Sequence, residues 1–246
     1  TKHFPGGGPQ LDGEDAHFPY GREQVYPGGR FEEHLRPFVE AIRRGTAGIM
    51  PYYGMPVGLE RNGEPIEEVG FSYSRQIVTD LLREELGYDG VVLSDWELIN
   101  DNHVGDQVLP ARAWGVEGLS PRERLLRLLD AGVDQFGGEE CVELLLELVA
   151  EGAVSTERID RSARRILLVK FRLGLFDDPY VDEDEAERIV GAAEFRAEGE
   201  RAQAESLTVL QNRDGALPLF RTGRQRVYAE GLSTPALAEY ADRVAA

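Results

Sequence analysis

The sequence predicts an α/β fold: the second half of a (β/α)8 barrel of the TIM type, followed by the start of an α/β sandwich domain. Two observations predict the barrel. Short apolar segments end at His3, Met50, Ser94 and Phe136, with spacings of 47, 44 and 42 residues. A segment with helical periodicity follows each end, and this alternation is typical of parallel strands joined by helices.

The number of strands sets the expected domain boundaries. An eight-stranded barrel needs about 250 residues, but only about four strand-like segments precede residue 140. We therefore expect residues 1–176 to be the C-terminal part of a barrel whose first strands are absent from these 246 residues. Residues 177–205 are predicted to be a linker, because two acidic residues and a proline break the helix there. Residues 206–246 are predicted to begin the second domain.

The elements are predicted from periodicity and from residues that start or stop helices. The strongest helix start is at Ser120, which precedes a proline and has Glu123 placed to complete a capping box. Residues 1–30 show no period and are predicted to be a long loop. Predicted helices cover residues 31–44, 74–86, 121–131, 142–150, 155–173 and 235–244. Predicted strands cover residues 46–50, 91–93, 133–136, 207–210 and 227–229.

Charge and cysteine content limit the possible partners. The chain has 45 acidic and 27 basic residues, a net charge of -18. Such a surface should repel nucleic acid and anionic membranes, so we expect neither as a partner. No run of residues is apolar enough to span a membrane. The single cysteine, Cys141, excludes an internal disulfide but leaves the cellular compartment and the oligomeric state open.

Residues 87–96 are the most informative stretch for chemistry. A glycine turn precedes a short β-branched strand, and this strand ends in Ser94, Asp95 and Trp96. Active sites of α/β barrels lie at the C-terminal ends of their strands, so Asp95 is a candidate catalytic carboxylate. The alternative interpretation is that Asp95 caps the next helix and Trp96 fills the core.

Four motifs in order resemble a known family. They are Lys2-His3-Phe4-Pro5-Gly6, the segments 49–54 and 87–96, and residues 211–219. Together they resemble glycoside hydrolase family 3, in its β-glucosidase branch. The resemblance covers nearly the whole chain and implies retaining hydrolysis of β-glucosides, with glucose released from the non-reducing end.

The resemblance also implies roles for individual residues. Asp95 would be the nucleophile, and Lys2, His3, Tyr53 and Trp96 would bind the sugar. A retaining mechanism needs two carboxyl groups about 5–5.5 Å apart, and in this branch the acid/base is a glutamate of the second domain, expected outside this chain. The reaction requires no cofactor, and no ligand spacing predicts a metal site.

Two alternatives follow from the missing acid. In the related β-N-acetylglucosaminidase branch an Asp-x-His pair supplies the acid/base, which Asp15 and His17 resemble. The run Gly6-Gly7-Gly8 and the second domain depart from that branch and favour a pair that braces the loop. The other alternative is a catalytically inert sugar-binding fragment. Glu97, Asp101 and Asp106, in the loop after the nucleophile, are interpreted as solvated.

Overall fold

A computed structural model describes residues 1–215, 217, 226–228, 230 and 243–245. Contacts divide the chain into two compact units, Thr1–Tyr180 and Val181–Ala246. The first unit contains the elements predicted for the barrel. The assignment of the remaining residues to a linker and a second domain stays a prediction.

The first unit is organised around one parallel sheet. Its strands are β1 (Lys2–Phe4), β2 (Gly48–Pro51), β3 (Val91–Trp96) and β4 (Gln135–Gly137). They lie in the order β1-β2-β3-β4, and each neighbouring pair is parallel. Each strand contains one of the four strand ends identified from the sequence, so the predicted parallel arrangement is confirmed.

Helices follow every strand of this sheet. They are α1 (Phe31–Arg43), α2 (Gln76–Glu85), α3 (Pro121–Ala131), α4 (Val142–Ala150) and α5 (Thr156–Arg172). One helix follows each of β1, β2 and β3, and two follow β4. This is the strand–helix repeat of a (β/α)8 barrel, of which the described residues contribute four parallel strands.

Local sequence explains where α3 begins and ends. The Ser120 hydroxyl accepts a hydrogen bond from the main-chain N–H of Glu123, and the Glu123 carboxylate accepts one from the main-chain N–H of Ser120. Gly132 ends the helix in the left-handed region, with φ of 111°, which a glycine adopts without steric cost. The capping box predicted from the sequence is therefore confirmed.

The helix α2 differs from an ordinary α-helix in its hydrogen bonding. The Leu86 main-chain N–H donates to the carbonyl of Leu81, five residues back, at 2.9 Å. This is the wider pattern of a π-helix, which is uncommon over so many residues. The apolar periodicity that predicts a helix here is insensitive to this small difference in pitch.

The core lies between the sheet and its helices. Phe4 of β1 is fully buried and packs edge to face on Phe38 of α1, with ring centroids 5.3 Å apart. The side chains of Ile49 and Val92, in the middle of the sheet, are buried. Burying one such side chain contributes roughly 1.5–3 kcal/mol, so this layer holds the strands in register and places their C-terminal ends at one edge.

A buried ion network holds the opposite end of the sheet. The Asp134 carboxylate, just before β4, accepts hydrogen bonds from Arg83 at 2.6 Å and from the Val92 main-chain N–H at 3.0 Å. Its second oxygen accepts from Ser162 at 2.7 Å and from Arg165 at 3.2 Å. Asp134 therefore joins β3, β4, α2 and α5 through one side chain.

The loops carry short paired strands that the sequence does not predict. Glu23–Gln24 pairs in parallel with Met55–Pro56, and Glu60–Arg61 pairs in antiparallel with Glu64–Pro65. The long loop after β3 contains an antiparallel hairpin of Asn102–Val104 and Gln107–Leu109. We call the last pair the 102–109 hairpin. It follows directly from the strand that carries Asp95.

The second unit contains α6 (Glu183–Ile189), α7 (Ala193–Ser206), and a parallel pair of β5 (Arg226–Tyr228) and β6 (Arg243–Ala245). The strand predicted at residues 227–229 overlaps β5; Ala229 lies outside the described residues. The strand predicted at residues 207–210 is wrong. All four of its residues are exposed and unpaired with any described segment, and a strand is stable only when its main chain is paired.

The helix predicted at residues 235–244 falls mainly outside the described residues. Its last two positions, Arg243 and Val244, belong to β6, because their main chain pairs with β5. Within the described part of the chain, no helix combines the length and the apolarity that crossing a membrane requires.

Candidate active site

A cleft of about 490 Å³ lies at the C-terminal edge of the sheet. It is lined by five residues singled out from the sequence: Lys2, His17, Tyr53, Asp95 and Trp96. The parallel strands explain this meeting, because their C-terminal ends share one edge and bring together residues far apart in the chain.

Asp95 is buried at the end of β3, and its two oxygens have different surroundings. The oxygen Oδ1 accepts a hydrogen bond from the main-chain N–H of Trp96 at 2.9 Å. The oxygen Oδ2 accepts none from the described residues, although His3 Nε2 lies 3.6 Å away. A carboxylate oxygen that accepts no hydrogen bond within the protein keeps its lone pairs available to a ligand. Asp95 caps no helix, so that alternative is wrong.

The Tyr53 hydroxyl fixes the peptide that follows Asp95. It accepts a hydrogen bond from the Trp96 main-chain N–H at 3.0 Å and donates one to the Trp96 carbonyl at 2.9 Å. Burial and the nearby charge of Asp95 raise the pKa of Tyr53 well above its ordinary value. The hydroxyl therefore keeps its proton, and it lies next to the Asp95 carboxylate.

Lys2 and His3 come from β1, and His3 Nε2 lies 3.6 Å from the Asp95 carboxylate. Lys2 lines the cleft, and the His3 ring lies 5.2 Å from the ring of Tyr52. Burial lowers the pKa of His3 below its ordinary value, while the charge of Asp95 opposes this shift and that of Lys2 adds to it. A neutral imidazole in this position can donate to, or accept from, a sugar hydroxyl.

Trp96 is 47% exposed, so the interpretation that it fills the core is wrong. Two glycines at the end of β4 explain how the indole is placed. A Cβ atom on Gly137 would lie 2.7 Å from the Trp96 ring, and one on Gly138 would lie 2.4 Å from it. The indole therefore packs directly on the main chain of these glycines, and its exposed surface can contact a ligand.

Asp15 and His17 form a pair in the loop after β1. The Asp15 carboxylate contacts His17 Nδ1 at 2.7 Å and accepts a hydrogen bond from the His17 main-chain N–H at 2.9 Å. These two interactions hold the pKa of Asp15 below its ordinary value. The His17 ring reaches the cleft and lies 4.8 Å from the ring of Tyr53. Asp15 orients the ring and does not itself line the cleft.

The cleft is also lined by five residues that the sequence does not single out as ligands: Met50, Glu97, Asn102, Leu109 and Arg112. The interpretation of Glu97 as solvated is wrong, because its carboxylate binds the Arg112 guanidinium and the Asn102 amide. Asp101 also braces the loop, accepting a hydrogen bond from the Ala111 main-chain N–H at 2.9 Å. The sequence signal that points to this hairpin is Gly105-Asp106, a common two-residue turn.

A larger cavity of about 610 Å³ lies away from these residues and is lined by Arg75, Arg83, Arg158, Arg161 and Arg165, among others. Arg83 and Arg165 bind Asp134, and Arg158 donates to the carbonyls of Leu129 and Val133. We therefore assign this cavity to the structural network. No group of three or more His, Cys, Asp or Glu residues in the described part of the chain is arranged to hold a metal ion.

Comparison with known proteins agrees with the geometry of the cleft. Residues 1–169 match the model of the glycosyl hydrolase family 3 N-terminal domain. The chain is 53% identical to β-glucosidase C of Emericella nidulans over 95% of its length, and covers 37% of that relative. It is 40% identical to the periplasmic β-glucosidase/β-xylosidase of Dickeya chrysanthemi over 97% of its length, and covers 38% of it.

A solved structure of a β-glucosidase from Erythrobacter marinus is similar over 79% of this chain and 23% of its own, with a TM-score of 0.61 and 30% identity. The chain thus spans less than two fifths of the length of each of these relatives. The family model matches more than half of the chain and includes every residue of the cleft. The chain therefore belongs to glycosyl hydrolase family 3.

Proposed function

We propose that the protein that carries this chain is a retaining β-glucosidase, which releases glucose from the non-reducing end of β-glucosides. The observation that carries this proposal is the asymmetry of Asp95, a residue that lines the cleft: one oxygen accepts a hydrogen bond from the Trp96 main chain, and the other accepts none from the described residues. The relatives named β-glucosidase support the choice of sugar.

The asymmetry suits a nucleophile. Attack on an anomeric carbon needs a carboxylate oxygen that is held in place and not already bonded to the protein. Oδ2 would form the bond to the anomeric carbon while the bond to the leaving oxygen breaks. Water would then hydrolyse the glucosyl–Asp95 ester and return the carboxylate, so the configuration of the sugar is retained.

The surrounding side chains would hold the glucose ring. Lys2 and His3 carry nitrogen atoms that can hydrogen-bond to its hydroxyl groups. The exposed indole of Trp96 offers an apolar surface for the C–H face of the ring. Tyr53 would act through the Trp96 peptide, keeping the nucleophile in place during attack.

The proton donor for the leaving group is a separate question. Glu97 is the second carboxylate of the cleft, but its oxygens accept hydrogen bonds from Asn102 and Arg112. It is therefore directed at the hairpin and not at a leaving group. We propose that a glutamate outside these residues supplies the proton, as the resemblance to the β-glucosidase branch implies.

A second candidate is β-N-acetylglucosaminidase activity, with His17 as acid/base. The observation that favours it is the 2.7 Å contact between Asp15 and His17 Nδ1, which leaves Nε2 of the same ring free for proton transfer. A solved β-N-acetylglucosaminidase from Paenibacillus is similar over 74% of this chain, with a TM-score of 0.54 and 29% identity. His17→Ala separates the two candidates: a loss of about 10²-fold or more in kcat is expected for a general acid/base, and a small loss for a loop brace.

The test uses the protein that carries this chain, aryl β-glucoside and aryl N-acetyl-β-glucosaminide. We expect faster hydrolysis of the glucoside, and nuclear magnetic resonance should show β-glucose as the first product. Asp95→Asn removes the proposed nucleophile. Its matched control is Asp106→Asn, which changes a carboxylate in an exposed turn of the same loop. First formation of α-glucose, or hydrolysis of the glucosaminide alone, would refute the proposed function.

A further inference from the structure

Arg112 uses fewer of its hydrogen-bond donors than other arginines that are equally shielded from solvent. Its side chain is 12% exposed, and those of Arg61, Arg83 and Arg124 are 11–13% exposed. Each of these three donates two or more hydrogen bonds within the protein. The Arg112 side chain donates one, from Nη1 to the Glu97 carboxylate. A guanidinium has five N–H donors, so most of those of Arg112 are unused by the described residues.

The location of Arg112 brings these unused donors to the candidate active site. Arg112 lines the cleft together with Tyr53 and Asp95, whereas Arg61, Arg83 and Arg124 do not line it. Burial raises the pKa of the Tyr53 hydroxyl, and the positive charge of Arg112 opposes that rise. The guanidinium is therefore close enough to act on the group that fixes the nucleophile. A ligand in the cleft meets donors that the described residues leave unbonded.

Glu97 holds the Arg112 guanidinium at the cleft. The main chain of Glu97 has a φ of 57°, in the left-handed region that is uncommon outside glycine. Its N–H donates to the Gly137 carbonyl at 3.1 Å, and its carbonyl accepts from the Arg112 main-chain N–H at 2.9 Å. The Glu97 carboxylate binds Arg112 through one oxygen and Asn102 through the other. Because the donors of a guanidinium form a rigid planar fork, this anchor also directs the unused ones.

A sugar hydroxyl is the acceptor that suits these donors. A hydroxyl oxygen has two lone pairs, and a glycoside carries several hydroxyl groups. An anionic ligand suits them less, because Glu97 already compensates the Arg112 charge and the carboxylate of Asp95 lies in the same cleft. Placing a further negative charge beside these groups costs free energy. The arrangement therefore favours a neutral ligand rich in hydroxyl groups.

We infer that Arg112 is a further substrate-binding residue, whose guanidinium donates a hydrogen bond to a hydroxyl group of the bound glycoside. Glu97 is its positioning residue. This inference rests on the proposed function.

The test measures kcat/KM of Arg112→Gln in the protein that carries this chain. The substrates are cellobiose, 4-nitrophenyl β-glucoside and the 2-, 3-, 4- and 6-deoxy analogues of that glucoside. Loss of a hydrogen bond from a charged donor should lower kcat/KM for cellobiose about 10- to 150-fold. If the partner hydroxyl lies on the glucose ring, the nitrophenyl glucoside should lose as much. The one analogue that lacks that hydroxyl should then lose less than about twofold.

The same substrates also identify a partner hydroxyl on the second sugar. In that case kcat/KM should fall for cellobiose and stay within about twofold for every nitrophenyl glucoside, because the nitrophenyl group carries no hydroxyl. Glu97→Gln keeps a hydrogen-bond acceptor but weakens the hold on the guanidinium. It should reproduce the substrate pattern of Arg112→Gln with a smaller loss.

Arg61→Gln is the matched control for the removal of a shielded guanidinium. All three nitrogen atoms of Arg61 donate to Glu32 or Glu85. Since Arg61 does not line the cleft, its replacement should change kcat/KM less than about twofold on every substrate. Should Arg112→Gln fail to fold, Arg112→Lys, which keeps the charge beside Glu97 but loses the planar fork, carries the same comparison.

Two results would overturn the inference while the proposed function stands. An equal loss on cellobiose, the nitrophenyl glucoside and every deoxy analogue would show that Arg112 serves the fold alone. A loss no larger than that of Arg61→Gln would show that Arg112 makes no bond to the substrate. If the unaltered protein released no glucose from cellobiose or the nitrophenyl glucoside, the proposed function would fail, and this inference with it.

Discussion

Two buried carboxylates of this barrel, Asp95 and Asp134, show how differently the two ends of one sheet are used. Both residues are less than a tenth exposed. Asp134, at the N-terminal end of β4, accepts four hydrogen bonds, which occupy both oxygens. Asp95, at the C-terminal end of β3, accepts one from the Trp96 main chain, and its oxygen Oδ2 has no donor among the described residues.

This difference teaches that burial alone does not distinguish a catalytic from a structural carboxylate. A buried acid whose lone pairs are all satisfied has no capacity left for a substrate, so it stabilises the fold. A buried acid with a free oxygen beside a cleft loses stability unless a ligand uses that oxygen. The comparison supports the proposal of a chemical role for Asp95 and a structural role for Asp134, which follows the division between barrel ends.

The largest expected effect is the loss of activity when Asp95 is replaced. Asp95→Asn keeps the acceptor for the Trp96 N–H but removes the nucleophile, so kcat on an aryl β-glucoside should fall by about 10⁴-fold or more. The unfolding free energy should change by less than about 1 kcal/mol, or rise, because an active-site charge is removed. Initial rates and urea unfolding measure both quantities. Retention of more than a tenth of kcat would contradict the assignment.

The second prediction concerns stability, which should depend strongly on Asp134. Asp134→Asn removes the charge that compensates Arg83 and Arg165, so the unfolding free energy should fall by about 3–5 kcal/mol. Asp89→Asn is the matched control: its carboxylate is 87% exposed and binds the same Arg165, and should contribute less than about 1 kcal/mol. Urea unfolding of both variants measures the difference. Equal effects would show that the network around Asp134 is not the structural centre described here.

A smaller effect tests how the nucleophile is positioned. Tyr53→Phe removes the hydroxyl that bridges the N–H and carbonyl of Trp96, which should cost about 1–3 kcal/mol in transition-state stabilisation, a five- to 150-fold fall in kcat/KM. Tyr52→Phe is the control, because it removes a hydroxyl from the neighbouring tyrosine but keeps the ring that contacts His3. This variant should change kcat/KM less than about twofold. Steady-state kinetics of both variants with one aryl β-glucoside measure the difference. If Tyr52→Phe proves the more damaging change, the bridging role of Tyr53 is wrong.

The smallest expected effect concerns pH. Burial lowers the folded-state pKa of His3 from its ordinary value of 6.5, so between these two values the unfolded chain binds a proton that the folded chain does not. Stability should therefore rise with pH through this window and fall on acidification. His3→Gln should flatten that part of the unfolding free energy against pH, whereas His103→Gln, on the exposed face of the hairpin, should not. An unchanged slope in His3→Gln would contradict the burial of this imidazole.

Much of the barrel could be predicted, because its signals are local. Each strand is a short apolar run after a turn, and the Ser120 capping box lies within four residues. The strand predicted at residues 207–210 failed for the opposite reason: apolar residues favour a strand, but pairing depends on a partner elsewhere in the chain. In the second unit that partner is not among the described segments.

Most residues of the candidate site that the sequence singles out lie at strand ends; His17, in the loop after β1, is singled out by its Asp-x-His pattern. Asp95, Tyr53 and Lys2 each lie at or near the end of a strand, so the parallel order of the sheet brings them together. The Glu97–Arg112 pair could not be predicted, because fifteen residues and a hairpin separate its partners. The difference between Asp95 and Asp134 could not be predicted either, because the hydrogen-bond partners of Asp134 come from three elements that are far apart in the chain: α2, β3 and α5.

The most direct test of the central claim is to trap the covalent intermediate. The protein that carries this chain would be incubated with a 2-deoxy-2-fluoro-β-glucoside that has a very good leaving group, digested, and analysed by mass spectrometry. The leaving group departs without acid assistance, so the nucleophile is tested by itself. We predict one fluoroglucosyl adduct, on Asp95, that is lost in Asp95→Asn. An adduct on another residue, or none in a folded protein that hydrolyses β-glucosides, would contradict the account.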